Sequence, residues 1–364
     1  MRLELPKWYD LHTHLRQDEM LGPLIDDALK MGCAGVLAMP NTKPPVGKVF
    51  KADGLPYTSI EYYSEAIKAA GGYKFDDFIV PLYLTQDTTA KMIEEGAKSG
   101  LLRACKYYPP HGTTGAEFGY PFMEFIENGV FEAMRDAGVV LCIHGEEHGM
   151  EASEYFARES NAEEHFYKER LPHILDAFTD LKIVGEHVTT KVAVDFISAA
   201  PDTVGATITP QHLLYTVGDL LQGLKYHLYC LPLLKFGEDR AALRAAATNA
   251  SNTKFFAGTD SAPHTTKMTE CGCAAGCYTG GIAPQLYAQG FEEAGIDLGS
   301  EQGVEAFKNF LCLNGPNFYG LDIPTETFTI EKAPQKLEAL KIGDQEVIPL
   351  PMGLGNDQIS WKIS

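Results

Sequence analysis

Short apolar runs alternate along the chain with longer amphipathic stretches. The runs are Trp8 to Leu11, Gly35 to Met39, Phe78 to Leu84, Leu101 to Tyr107, Val139 to Ile143, Ile183 to Glu186, Gly205 to Ile208 and Lys254 to Ala257, which predict eight strands. Between them, Pro23 to Met31, Ser59 to Ala70, Thr88 to Ser99, Phe122 to Asp136 and Lys191 to Ala199 carry helical spacing and capping residues. Strand followed by helix, repeated about eight times, predicts an α/β protein built as a (β/α)8 TIM barrel; a doubly wound open sheet is the alternative. After Asn314 the chain becomes richer in Thr, Glu and Pro, with strand-like pieces Thr327 to Ile330, Glu346 to Leu350 and Ile359 to Ile363. No internal repeat or Pro/Ser-rich linker divides it. The expectation is one barrel domain over 1–364, with 321–364 a C-terminal extension packing on the barrel.

Composition narrows the chemistry. At 364 residues and 45% hydrophobic content the chain can bury a large core, and its formal net charge of -19 would repel polyanions. Nucleic acid and anionic membranes are therefore not expected partners, and an anionic substrate needs a locally positive pocket. Met1 to Asp10 mixes Arg2, Glu4, Lys7 and Asp10 with single apolar residues, so it lacks the apolar core of a signal peptide. With no uninterrupted apolar stretch of bilayer length either, the predicted location is the cytoplasm. No Gly-rich dinucleotide fingerprint or phosphate-cradling loop appears. Cys33, Cys105, Cys142 and Cys230 each sit in an apolar, strand-like run and read as reduced core residues. Cys271, Cys273 and Cys277 lack the paired hooks and fourth ligand of a structural zinc site, and read as thiols in a Gly-rich loop.

In a barrel of this kind the active site stands at the carboxyl ends of the strands. There the chain places His12, His14 and Arg16, then Asn41, Lys106, His144 with Glu146, Glu186 with His187, and Asp260 with His264. His12 and His14 are two apart, so on a strand both imidazoles point to one side. Alone such a pair is commonplace. Four histidines and an aspartate, each just after a predicted strand, suit Zn2+ or a similar divalent ion. Lys106 follows the apolar run Leu101 to Cys105; facing the barrel axis it would be desolvated and more easily neutral. A neutral amine can take up carbon dioxide as a carbamate, whose two oxygens can serve two metals.

Asp10-Leu-His12-Thr-His14-Leu-Arg16, Met39-Pro-Asn41-Thr-Lys-Pro-Pro, Lys106-Tyr-Tyr-Pro, His144-Gly-Glu146 and Glu186-His187-Val-Thr-Thr occur in that order. Thr207-Ile-Thr-Pro-Gln-His212-Leu, Leu228-Tyr-Cys-Leu231-Pro and Gly258-Thr-Asp260-Ser-Ala-Pro-His264 complete the series. Together they resemble the signature segments of the dihydroorotase family, in its short, single-function bacterial class, from Asp10 to about Gly320. The resemblance implies a zinc-dependent cyclic amide hydrolase that interconverts N-carbamoyl-L-aspartate and L-dihydroorotate in pyrimidine biosynthesis. It implies two Zn2+ per chain: His12, His14 and Asp260 on one, His144 and His187 on the other, with N6-carboxylated Lys106 and a hydroxide bridging them. Asp260 would be the general base and then the acid.

By the same resemblance Arg16, Asn41 and His264 would bind the substrate's α-carboxylate. Leu231 and the turn Ala274 to Gly276 would meet its ring amides through backbone groups. The run Cys-Gly-Cys-Ala-Ala-Gly-Cys is one residue longer than the family's usual form, which leaves open which residue of the turn makes the contact. Thr113 and Thr114, in the Pro/Gly/Thr-rich segment Tyr108 to Gly119, would close over substrate. The family also suggests a homodimer. The alternatives are a hydantoinase or allantoinase using the same metal cage, and a catalytically inactive scaffold subunit. His111, His148, His165, His173, His212 and His227 read as surface or structural histidines.

Overall fold

The computed structural model describes every residue except Thr114, Glu159 and Cys271. Trp8–Thr13, Cys33–Ala38 and Asp77–Ile79 form a three-stranded parallel sheet in that order. Leu82–Tyr83, Ala104–Tyr107, Val140–Ile143, Ile183–Gly185, Val204–Ile208 and Phe255–Ala257 form a six-stranded parallel sheet in which each strand pairs with the next in sequence. All the expected strand positions are occupied. The run Phe78 to Leu84 departs from expectation, because it is shared between the two sheets and interrupted at Val80–Pro81. Pro81 has no N–H to continue a ladder, so the chain changes partner there.

At the opposite edges the sheets meet again. The N–H of Asp260 donates to the carbonyl of His12 at 2.8 Å, that of His14 donates to the carbonyl of Ser261 at 3.0 Å, and Thr13 and Ser261 form a parallel bridge. These contacts lie just past the strand ends, where the chemistry-bearing residues stand.

The strands are apolar almost throughout because both faces are covered. Trp8, Cys33, Val36 and Cys105 point into a large cluster shared with the helices. Their neighbours Tyr9, Leu11, Ala34, Leu37 and Ala104 enter a second cluster, closed by Val184 and Phe256. Helices Ile60–Ala69, Ala90–Lys98 and Lys191–Ala199 begin where Ser59, Thr89 and Thr190 accept a backbone N–H three residues on, as the capping pattern predicts. The expected helix Phe122 to Asp136 is instead two pieces, Glu124–Glu127 and Val130–Ala137, parted at Gly129, whose φ of 78° is left-handed.

The tail turns back to the start of the chain. Thr327–Glu331 pairs antiparallel with Arg2–Pro6, and Lys362–Ile363 adds to its other edge. Trp361 is buried, its indole N–H donating to Glu292 at 3.0 Å. Gln345–Val347 pairs with Leu340–Ile342, and Leu350 opens a helical turn rather than extending a strand. Cys33, Cys105 and Cys142 are buried in strands, as expected; Cys230 is buried too, but in an irregular segment that runs directly into Pro232. Among the described residues, no helix is long and apolar enough to cross a membrane.

Gly35 marks the tightest approach between neighbouring strands. A Cβ there would lie 1.9 Å from the carbonyl oxygen of Asp77 and 2.6 Å from the ring of Tyr9. Gly35→Ala is expected to lower unfolding free energy by roughly 2–3 kcal/mol, read from urea titration; an unchanged midpoint would show that this packing tolerates a methyl group.

Candidate active site

His12, His14 and Asp260 converge on one point, with a ligand atom from each lying within 4.8 Å of the others. His12 Nδ1 faces the Glu186 carboxylate at 2.7 Å, and His14 Nδ1 faces the Asn41 side-chain oxygen at 2.9 Å. Each Nδ1 therefore carries the proton and donates, which in a neutral ring leaves Nε2 with a bare electron pair. Those two Nε2 atoms face Asp260 Oδ1 at 3.4 and 3.0 Å. Three electron-rich atoms thus meet where a cation is the natural complement, so the donor set fits a divalent metal.

The two rings differ in their protonation tendencies. Burial disfavours charge on His14, taking its pKa down to about 4. On His12 burial acts the same way, but the carboxylates of Glu186 and Asp260 outweigh it and raise the pKa. Burial disfavours the charged form of Asp260 as well, yet the polar surround of His12 and His14 holds it well below the usual carboxylate range. The site keeps Asp260 ionised.

A second group adjoins the first. The rings of His144 and His187 are 4.7 Å apart, and His187 is 4.8 Å from His12. His144 Nε2 faces Glu146 at 2.9 Å and so donates to it, leaving Nδ1 as the electron-pair donor. His187 Nδ1 and Lys106 Nζ are both buried with no hydrogen-bond partner among the described residues. An unpaired buried amine is costly as an ammonium, and burial lowers the pKa of Lys106 accordingly. An orphaned imidazole nitrogen beside an orphaned amine suits a second metal held in part through a modified lysine.

The predicted substrate residues stand on one side of this cluster. The Arg16 guanidinium donates from Nε to the Pro263 carbonyl at 3.2 Å, while its Nη2 lies 3.3 Å from His264 Nε2. His264 Nε2 also lies 2.9 Å from the Ala275 carbonyl. One nitrogen cannot donate to Ala275 and accept from Arg16 together, so the shorter contact assigns the proton to Nε2 and leaves the Arg16 fork free to turn toward an anion. Burial, then Arg16, bring the His264 pKa down to about 4, so its ring is neutral. In the turn, Ala274 N–H donates to the Lys267 carbonyl and Gly276 N–H to that of Tyr229, whereas Ala275 N–H makes no hydrogen bond among the described residues. The Tyr229–Gly276 bond also seats the half-buried Leu231 segment beside the turn. Thr113 is half-buried in a segment that lies over the site: a Cβ on Gly115 would be 3.3 Å from that of Asn41, and Tyr83 donates to the Gly115 carbonyl at 3.2 Å. Thr114 lies outside the described residues.

No protein-family profile matches the chain. Curated relatives do. The dihydroorotase of Shewanella amazonensis is 41% identical over 99% of this chain and 98% of its own, and that of Psychromonas ingrahamii 39% identical over 97% and 96%. This chain belongs to the dihydroorotase family. Among solved structures, dihydroorotase from Saccharomyces cerevisiae in complex with 5-fluoroorotic acid superposes with a TM-score of 0.85 at 26% identity, covering 100% of this chain and 98% of that one. L-hydantoinase from Arthrobacter aurescens reaches 0.74 at 15% identity, over 100% of this chain and 83% of its own, a likeness of fold alone.

Seen within the dihydroorotase family, the chain uses further residues whose roles the sequence did not reveal. Glu186 orients His12 and also accepts the Thr207 hydroxyl at 2.6 Å, while Thr207 accepts the His187 N–H at 2.7 Å. Asp10, fully buried, accepts both the N–H and the hydroxyl of Thr259 and so pins the segment that carries Asp260. Desolvation raises its pKa to about 6, with Thr259 opposing. Arg16, His187 and Asp260 all take left-handed backbone, at φ of 57°, 40° and 46°. Each costs about 1–3 kcal/mol, strain that this hydrogen-bonded surround sustains. The available signal was weak: Glu186 and Asp10 each sit next to or near a histidine, as do many surface carboxylates.

Glu186→Gln is expected to weaken metal retention by about 10–100-fold, since His12 loses the carboxylate that fixes its tautomer. Metal content after dialysis against graded chelator measures it; retention equal to the unsubstituted protein would mean that Asp260 and His14 suffice to hold His12.

Proposed function

We propose that this protein is a dihydroorotase, interconverting N-carbamoyl-L-aspartate and L-dihydroorotate in pyrimidine biosynthesis. The observation that carries the reading is a buried cluster that joins a His/His/Asp donor set, a lysine without a hydrogen-bond partner among the described residues and, beside them, Arg16, in a chain of this family. The parallel strands are taken to close as a (β/α)8 barrel of one domain over 1–364, with 321–364 packed on it as an extension. The hydrogen bonds of His12 and His14 to the Asp260 segment support closure at that seam.

His12, His14 and Asp260 would hold one Zn2+, and His144 and His187 the other, with Lys106 bridging as its N6-carboxylate. Bound metal would supply Lewis acidity to the amide carbonyl and a hydroxide at neutral pH. The remaining work falls to the chain. Arg16, Asn41 and His264 bind the α-carboxylate; Leu231 and the Ala274 to Gly276 turn orient the ring amides, with Ala275 N–H the donor still free; Thr113 and Thr114 cover the substrate. Asp260, ionised and aimed at the site's centre, accepts the proton of the attacking water and delivers it to the departing ring nitrogen. Synthesis reverses these steps. The enzyme is read as a cytoplasmic homodimer. A hydantoin or allantoin ring carries no carboxylate for Arg16 and His264, which favours dihydroorotate over those substrates.

Purified protein is expected to hydrolyse L-dihydroorotate, but not hydantoin or allantoin, with about two zinc ions per chain. Activity on the other rings alone would overturn the substrate; no activity and no metal would favour a scaffold. Lys106→Ala should lose most activity and metal, partly restored by short-chain carboxylic acids, while Asp260→Ala should lower kcat by about a thousandfold or more. Full activity with two metals in Lys106→Ala would exclude the bridging role.

A further inference from the structure

Beside the substrate-facing turn stands a lysine that the mechanism leaves unused. Lys267 flanks a short hairpin in which Met268–Thr269 pairs antiparallel with Gly272–Cys273. Its own carbonyl accepts the Ala274 N–H at 2.8 Å. Its side chain folds back, and Nζ donates to the Tyr229 carbonyl at 2.7 Å and to the carbonyls of Ala274 and Gly276. An ammonium has three N–H donors, so these three acceptors saturate it.

The acceptors come from two stretches of chain far apart in sequence, the approach to Leu231 and the turn itself. Three peptide dipoles aim their negative ends at one place, an arrangement that repels itself without a cation in the middle. Single bonds also hold the turn, Ala274 N–H to Lys267, Gly276 N–H to Tyr229 and Ala262 N–H to the Cys277 carbonyl, but Nζ is the group that ties both ends of the turn and the Tyr229 segment to one point. Gly276 sits at a φ of 138°, and a Cβ there would lie 2.6 Å from that of Ala262, so the turn's course leaves no room for a side chain at that point.

We propose that Lys267 is a positioning residue that fixes the turn Ala274 to Gly276 against the Tyr229 to Leu231 segment, and thereby sets the free Ala275 N–H and the Leu231 backbone at the spacing the substrate's ring amides require. This rests on the reading that these two segments meet the substrate. Lys267 touches no reacting atom; it acts through the turn.

The test compares Lys267→Met, which keeps the aliphatic stem and removes the donors, with the unsubstituted metal-loaded enzyme. KM for L-dihydroorotate should rise about tenfold while kcat changes less than about threefold and metal content stays the same. The rise should persist at high salt, where a purely long-range charge effect is screened. Lys267→Arg, which keeps the charge but spreads its donors over a plane, should recover only part of the loss.

A readout independent of turnover is the rate at which N-ethylmaleimide labels Cys273, located by mass spectrometry. Cys273 is half-buried in the hairpin with Sγ 3.5 Å from the Tyr226 carbonyl, and loosening the turn should speed its labelling. Faster labelling with unchanged KM would overturn the proposal by showing that the anchored turn does not seat the substrate. Unchanged labelling and KM would overturn the anchor itself, as would a KM rise that salt abolishes without faster labelling. Should Lys267→Met not fold, Lys267→Gln gives the same comparison. Absence of dihydroorotate hydrolysis in the unsubstituted protein would count against the proposed function, and labelling would still decide the anchor.

Discussion

His12 and His14 each spend one ring nitrogen on an acceptor of the protein, Glu186 and Asn41, and that choice directs the other nitrogen, bare, toward Asp260. Much of the site's arrangement follows from holding three electron-rich atoms together. The same residues also join the two parallel sheets, since the His12 carbonyl takes the Asp260 N–H and the Ser261 carbonyl takes the His14 N–H. Closing this seam and assembling the donor set are one structural event. Asp10 secures it by accepting twice from Thr259, and the left-handed backbone at Asp260 is the strain this closure sustains.

Electrostatics follows the same logic on a wider scale. A chain with a formal charge of -19 that receives an anionic substrate needs a cation at the point of contact. Glu186 is hydrogen-bonded to His12 and Glu146 to His144, whereas Arg16 donates to the Pro263 carbonyl and has no carboxylate within ion-pair distance among the described residues. Lys106 has no hydrogen-bond acceptor among the described residues, and Lys267 spends its donors on carbonyls. Arg16 is thus the cationic part of the site within an acidic chain, and a bound divalent metal would add positive charge beside it.

Legibility in the sequence tracked how local each physical cause was. Strand positions were readable because a strand covered on both faces must be apolar over its length, and helix starts were readable because Ser59, Thr89 and Thr190 cap within three residues. Pro81 was in plain view, yet that it would hand one run to two sheets depended on which neighbours lay on either side. The break at Gly129 had a local sign, the turn-forming pair Asn128-Gly129 inside the helical run. For the site, His12, His14 and Asp260 could be chosen because strand ends are where such a fold builds chemistry, and the structure brings them together.

Order and residue type along the chain therefore determined the alternation of strand and helix, the strand-end placement of the donors, and the family. Tertiary structure alone decided which nitrogen of each histidine faces the centre, which carboxylate orients which imidazole, and that Lys267 gathers three carbonyls around the turn. The reason is distance along the chain. Periodicity and capping act over a few residues, so sequence carries them directly. Glu186 is 174 residues from His12, and Lys267 is 38 from Tyr229, so those partnerships exist only once packing has brought the elements together.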